Sequence, residues 1–137
     1  MAEPIRVLVV DDNEDLLLTL AQILKRKGFM VETAADGLSA VGRYAQGDFD
    51  VTLMDIIMPD LNGVEAFRLI RATDPDAPVI LMTGYSDEDL IQLAIAEGAP
   101  CVLHKPIRID KMIDTIHQAM APPPSSKPEP AFIAGGN

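Results

Sequence analysis

Three carboxylates, a hydroxyl and an ammonium stand at the ends of apolar runs in this sequence. Asp11 and Asp12 follow IRVLVV, Asp55 closes VTLM, Thr83 closes PVILM with Gly84 behind it, and Lys105, followed by Pro106, comes after CVLH. A carboxylate at the end of a buried run costs stability unless it has a partner or a task. Carboxylates about 4 Å apart repel by roughly 4 kcal/mol at an effective dielectric near 20, so a convergent set of acids has to share a proton or a cation. A hard divalent ion with oxygen ligands, Mg²⁺ or Mn²⁺, answers that need, and Mg²⁺ commonly takes one or two carboxylates plus water and phosphate oxygens. With such an ion on one side and Lys105 on the other, the pocket suits a small dianionic group to which Thr83 can donate a hydrogen bond. Phosphoryl transfer requires little beyond positioning and charge neutralisation. Asp55 then reads as the nucleophile of an aspartyl phosphate.

Convergence depends on the elements that carry these residues. Residues 5–10 are β-branched and lack an amphipathic period, which predicts a strand covered on both faces. Leu16, Leu17, Leu20, Ile23 and Leu24 then repeat at helical spacing, up to Lys25, Arg26, Lys27 and a stop at Gly28. FMVETA reads as a weaker second strand, and the helix after it presents Leu38, Val41 and Ala45 as one face, with Gly42 inside it and Gly47 as its stop. VTLM is a third strand, followed by a helix packing through Val64, Phe67 and Ile70. PVILMT and CVLH are the fourth and fifth strands; the helix between them ends at Gly98, and the last packs through Ile109, Met112, Ile113, Ile116 and Met120. Alternation of five strands with five helices predicts an α/β doubly wound parallel sheet, (βα)5 and flavodoxin-like, in strand order 2-1-3-4-5. Such sheets bind ligands outside the carboxyl ends of their strands at the switch in strand order, here between strands 1 and 3. That order brings all five polar groups to one edge.

The bulk properties suit this reading. The chain has 137 residues, 48% hydrophobic and 23% charged, enough for one domain with a core. Residues 1–121 read as that domain; residues 122–137 hold five of the 11 prolines and read as a flexible tail or linker. A net charge of −10, with no dense run of Lys or Arg, argues against direct nucleic-acid binding. The single cysteine, Cys101, excludes an internal disulfide and reads as a small core residue in a reducing compartment. The first apolar run is too short for a signal peptide or a membrane span, which predicts a cytoplasmic protein. His104 and His117 have no metal-ligand spacing, and His117 is expected on a solvated face.

Taken together, VVDDNED, LMDIIMPDLNG, LMTGY and HKP, in this order over residues 4–120, resemble the receiver domain of two-component response regulators, the CheY-like family. The resemblance implies that Asp55 is the phospho-acceptor, charged from a phosphohistidine on a histidine kinase or a histidine phosphotransfer protein. It implies that Asp12, Asp55 and the backbone carbonyl of Ile57 ligate Mg²⁺ while Asp11 acts largely through bound water. Thr83 and Lys105 become the switch hydroxyl and the phosphate-binding lysine, and Lys105-Pro106 a cis peptide. Receivers catalyse only their own phosphorylation and dephosphorylation, and a downstream effector protein reads the surface around their fourth and fifth units. Here the fourth helix is acidic and the fifth carries Arg108 and Lys111, which allows a phosphorylation-dependent dimer. One position departs from the family: Val102 stands where an aromatic switch residue is common. Tyr85 is its substitute or, with Ile57, a shield over the phosphoryl group. Two alternatives remain: a receiver excised from a DNA-binding regulator or hybrid histidine kinase, and an aspartyl-phosphate phosphatase. The second lacks its usual Asp-x-Asp after strand 1.

Overall fold

The computed structural model describes residues 3–84, 88–99 and 101–120. Five parallel strands, β1 (Arg6–Val10), β2 (Met30–Ala34), β3 (Val51–Asp55), β4 (Val79–Thr83) and β5 (Cys101–His104), form one sheet in the order β2-β1-β3-β4-β5. Helices α1 (Glu14–Arg26), α2 (Gly37–Gln46), α3 (Gly63–Thr73), α4 (Glu88–Ala96) and α5 (Ile109–Met120) link them. β3 and β4 are buried at every residue, as their largely apolar runs require in a sheet covered on both faces. β2 at one edge alternates exposed and half-buried positions before Ala34, so its sequence signal is weaker.

Successive side chains of a strand point to opposite faces, which splits the core into two layers. Val7, Val9, Leu53, Ile80 and Met82 pack with Leu17, Leu20 and Leu24 of α1 and Met112 and Ile116 of α5. Leu8, Val10, Met54 and Leu81 pack with Val64, Phe67 and Ile70 of α3, Ala40 of α2 and Ile91 and Ala94 of α4. Each fully buried large apolar side chain contributes about 1.5–3 kcal/mol. Thr52 is the exception in that layer: its hydroxyl is buried and has no hydrogen-bond partner.

Local chemistry sets the helix ends. Asn13 accepts a hydrogen bond from Leu16 N–H at the start of α1, and Asp36 accepts one from Ser39 N–H at the start of α2. Asn62 and Glu65 close a reciprocal capping box on α3. Gly28 and Gly98 take φ values of +98° and +93°, and beside them Phe29 N–H reaches Leu24 O and Ala99 N–H reaches Ala94 O. These are the left-handed C-terminal stops that the glycines predict.

Two helix faces differ from the sequence expectation. α2 turns Gly37, Ala40, Val41 and Tyr44 inward, whereas Leu38 is 73% exposed and Ala45 is exposed. The inward stripe has the i, i+3, i+4, i+7 spacing, but it opens with Gly37 and Ala40, and Gly37 lies where a Cβ would meet Leu61 O at 2.4 Å. On α5, Met112 and Ile116 are buried and Met120 is 37% exposed, because the helix has run past the sheet by its last turn. Cys101 packs half-buried against the α1–α5 layer, and burial pushes its thiol up, as befits a packing residue. His117 is exposed, as expected. The stretch 122–137 lies outside the described residues.

Candidate functional site

The carboxyl ends of β1 and β3 are adjacent because these strands pair directly, Val10 opposite Met54. Each is followed by acid. Asp11 and Asp55 are buried at 0% and 5% exposure, Asp12 is exposed, and one oxygen from each of the three lies within 4.8 Å of the others. β4 and β5 then bring Thr83 and Lys105 to the same edge, where Lys105 N–H donates to Thr83 O at 2.7 Å. The Lys105-Pro106 peptide is cis. From the end of β5 the Lys105 ammonium reaches along the sheet edge, Nζ standing 2.7 Å from Asp11 Oδ2 and 3.2 Å from Asp55 Oδ2.

Electrostatics follow from this contact. Burial and the neighbouring Asp11 charge push Asp55 up from 3.8 to about 6, against the opposing pull of Lys105. Burial works against the charge of Lys105, but its hydrogen bond to Asp11 and the two carboxylates outweigh it, so the ammonium titrates above its ordinary value. Lys105 is therefore a fixed cation between two buried acids. Asp11 is fully engaged, one oxygen on Lys105 and the other accepting Asn13 N–H at 2.9 Å. Asp55 Oδ1 accepts only a long bond, 3.3 Å, from Ile57 N–H.

An open cleft of about 590 Å³ lies over this pair, lined by Asp11, Asp12, Asp55, Ile57, Lys105 and Pro106. Asn13, Leu16 and Gly84 complete its wall. Sequence reasoning passed over the first two of these, although both follow the acidic pair within one helical turn. Gly84 is not forced to be small: a Cβ there would stand 3.4 Å from Lys105 Cδ, an ordinary van der Waals contact. Gly63 is under hard constraint: a Cβ would meet Asp55 O at 2.3 Å, so the loop after β3 has no room for one there. Thr83 is 99% buried at the floor of this edge. Val102 does not line the cleft; it packs half-buried against the α2–α3–α4 layer and borders a separate recess with Pro106 and Arg108. Tyr85 lies outside the described residues. The donor set of three clustered carboxylates suits a hard divalent cation.

The family model for the response regulator receiver domain matches residues 7–117. The chain belongs to the response regulator receiver family. ZraR, a transcriptional regulatory protein of Klebsiella oxytoca, is 35% identical over 119 residues, covering 87% of this chain and 27% of that protein. The chemotaxis protein CheY of Listeria monocytogenes is 32% identical over 116 residues, covering 84% of this chain and 98% of that one. Among solved structures, a receiver domain from Clostridium thermocellum superimposes with a TM-score of 0.81 at 30% identity, over 85% of this chain and 94% of that one. CheY from Borrelia burgdorferi, solved as a CheX-CheY-BeF3-Mg complex, gives 0.80 at 30% identity, over 87% of this chain and 91% of that one. The chain thus spans about a quarter of the ZraR-type regulator and nearly all of the CheY-type receiver. As receivers they share its parallel sheet, and no helix among the described residues is long and apolar enough to cross a membrane.

Proposed function

We propose that this receiver is a phosphorylation switch in a two-component pathway, with Asp55 taking a phosphoryl group from a phosphohistidine. The observation that supports this best is the Asp11–Lys105–Asp55 bridge: an acceptor carboxylate buried at a strand end, opening onto a solvent-filled cleft, with a cation already within 3.2 Å. In the reaction an Asp55 carboxylate oxygen attacks phosphorus, the O–P bond forms, the N–P bond to the donor imidazole breaks, and the imidazole leaves. Asp55 attacks as the carboxylate, which its value near 6 leaves predominant at neutral pH. Lys105 balances Asp55 before transfer and turns its Nζ toward the phosphoryl oxygens after it, leaving Asp11 as its remaining anchor. Thr83, at the end of β4, hydrogen-bonds the phosphoryl group once it has formed.

Asp12, Asp55 and the Ile57 carbonyl would hold Mg²⁺, and Asp11, whose two oxygens are already engaged, would act on it through water. When bound, the ion supplies the positive charge that lets a phosphoryl group approach three acids. The Mg-containing complex of the Borrelia relative supports this choice of metal. The chain catalyses no reaction on other substrates in this reading. Its partners are a histidine kinase or histidine phosphotransfer protein on the input side and an effector that reads the β4–α4–β5–α5 face. With Val102 at the usual aromatic position, that face changes without the swing of a large ring.

A second reading has support from the length comparison: this receiver, residues 1–121, serves a longer regulator or a hybrid kinase, and 122–137 is its linker. The deciding experiment for the acceptor is intact-mass analysis after incubation with acetyl phosphate and Mg²⁺. One added phosphoryl group that requires Mg²⁺ and vanishes in Asp55→Asn is expected; an adduct that survives the substitution refutes the assignment.

A further inference from the structure

An apolar groove lies between α2, the β3–α3 loop and α3. Leu38 forms one wall, Leu69 the other, and Pro59 and Leu61 of the β3–α3 loop form the floor, in a volume of about 510 Å³. Leu38, at 73%, is the most exposed of the large hydrophobic side chains among the described residues, and Leu69 is 45% exposed. Both leucines turn away from the core that α2 and α3 otherwise serve. α2 meets the β3–α3 loop tightly at the groove: a Cβ on Gly37 would stand 2.4 Å from Leu61 O.

The rim is acidic. Asp36 and Asp60 line it and no cation does. Hydrogen bonds from the Ser39 backbone and side chain hold Asp36 below the usual carboxylate range. The nearest basic side chain along α3, Arg68, is tied to Glu97. We propose that this groove docks a basic amphipathic helix of a partner protein, its apolar side chain seated between Leu38 and Leu69 and its Lys or Arg residues facing Asp36 and Asp60. Charge selects this occupant. A second copy joined through the same face would set these carboxylates against themselves, on a chain of net charge −10. An anionic lipid surface meets the same repulsion. The proposal is independent of phosphorylation at Asp55.

The test titrates the isotope-labelled full chain with a synthetic amphipathic helical peptide of leucine and lysine, and with its leucine–glutamate counterpart, followed by NMR. Shifts centred on Leu38, Leu61 and Leu69 with the lysine peptide alone are expected. Leu69→Ser should weaken binding about tenfold through lost apolar burial. Asp60→Asn should weaken it about threefold, the usual size for one exposed charge; asparagine keeps the φ of +69° at that position. Circular dichroism of both variants shows that they are folded. The proposal is overturned if neither peptide shifts these residues, if the glutamate peptide binds equally, if shifts centre on α4, or if Leu38→Ser with Leu69→Ser leaves the affinity unchanged. Concentration-dependent dimerisation abolished by those two serines would also overturn it, in favour of a second copy.

Discussion

Asp55→Asn should make the metal-free protein more stable at neutral pH, although it removes the residue on which the proposed chemistry depends. In the folded protein Asp55 titrates near 6 against an ordinary 3.8, chiefly because it is buried and secondarily because Asp11 repels it. A raised carboxylate stabilises the fold while it is protonated, below 3.8, and that stability is lost as the pH rises through 6. At about 1.4 kcal/mol per pH unit, the gap corresponds to roughly 3 kcal/mol of destabilisation once Asp55 is ionised. At 5% exposure the side chain is shielded enough for solvent screening to leave most of this intact. Asparagine gives up the 3.2 Å contact with Lys105, which keeps its 2.7 Å bond to Asp11, so the net gain at pH 8 should be about 1–3 kcal/mol. Urea denaturation in chelator at pH 5 and pH 8 isolates the effect. The stability difference between variant and wild type should grow with pH across that interval. A difference independent of pH, or a variant less stable at pH 8, would falsify the claim that Asp55 is held in an unfavourable charge state.

Other substitutions test the same structure from different sides. Lys105→Met leaves Asp11 and Asp55 buried without their cation and should cost about 3–5 kcal/mol in chelator, the usual size for breaking a buried pair; saturating Mg²⁺ should recover part of it in thermal melts, and no recovery would count against the metal cluster. Thr52→Val removes the orphaned hydroxyl from the core. It should raise stability by about 1 kcal/mol in urea unfolding, and a loss would mean that the hydroxyl has a partner. Gly63→Ala places a methyl group 2.3 Å from Asp55 O. The loop has to shift, costing about 2 kcal/mol or more in melts and slowing phosphorylation by acetyl phosphate; a variant with native stability and rate would show that the loop yields freely.

The fold was legible wherever burial left one reading. VLVV and VILM are apolar throughout, and VTLM is so apart from Thr52, because helices cover both faces of the sheet, and such runs fit little else in a short α/β chain. Gly28 and Gly98 act through their own backbones, so they mark helix ends without any knowledge of the tertiary structure, whereas Asn13 and Asn62 cap α1 and α3 through side-chain oxygens that the sequence reading did not single out. The strand order places Asp11, Asp12, Asp55, Thr83 and Lys105 on one edge, and the convergence of these residues was foreseeable from it. The face of α2 was not. Its inward residues include Gly37 and Ala40, which carry almost no hydrophobic signal, while Leu38 carries a strong one and points outward. The direct bond between Lys105 and Asp11 also escaped the sequence, which cast the lysine only as a ligand for phosphate. Which acid a flexible ammonium prefers is decided by ångström-scale placement across 94 positions of chain.

That span makes the central site depend on an edge strand. Asp11 and Asp55 stand at the ends of the adjoining strands β1 and β3, but the cation that reconciles them follows β5, the four-residue strand at the sheet's far edge. The pairing of β5 with β4 therefore also keeps the charge balance at the middle of the sheet, through the lysine that follows it. Integrity of the edge strand and electrostatics of the central site are thereby tied together, so a chain whose β5 has come away from the sheet keeps the three carboxylates and loses the ammonium that balances them.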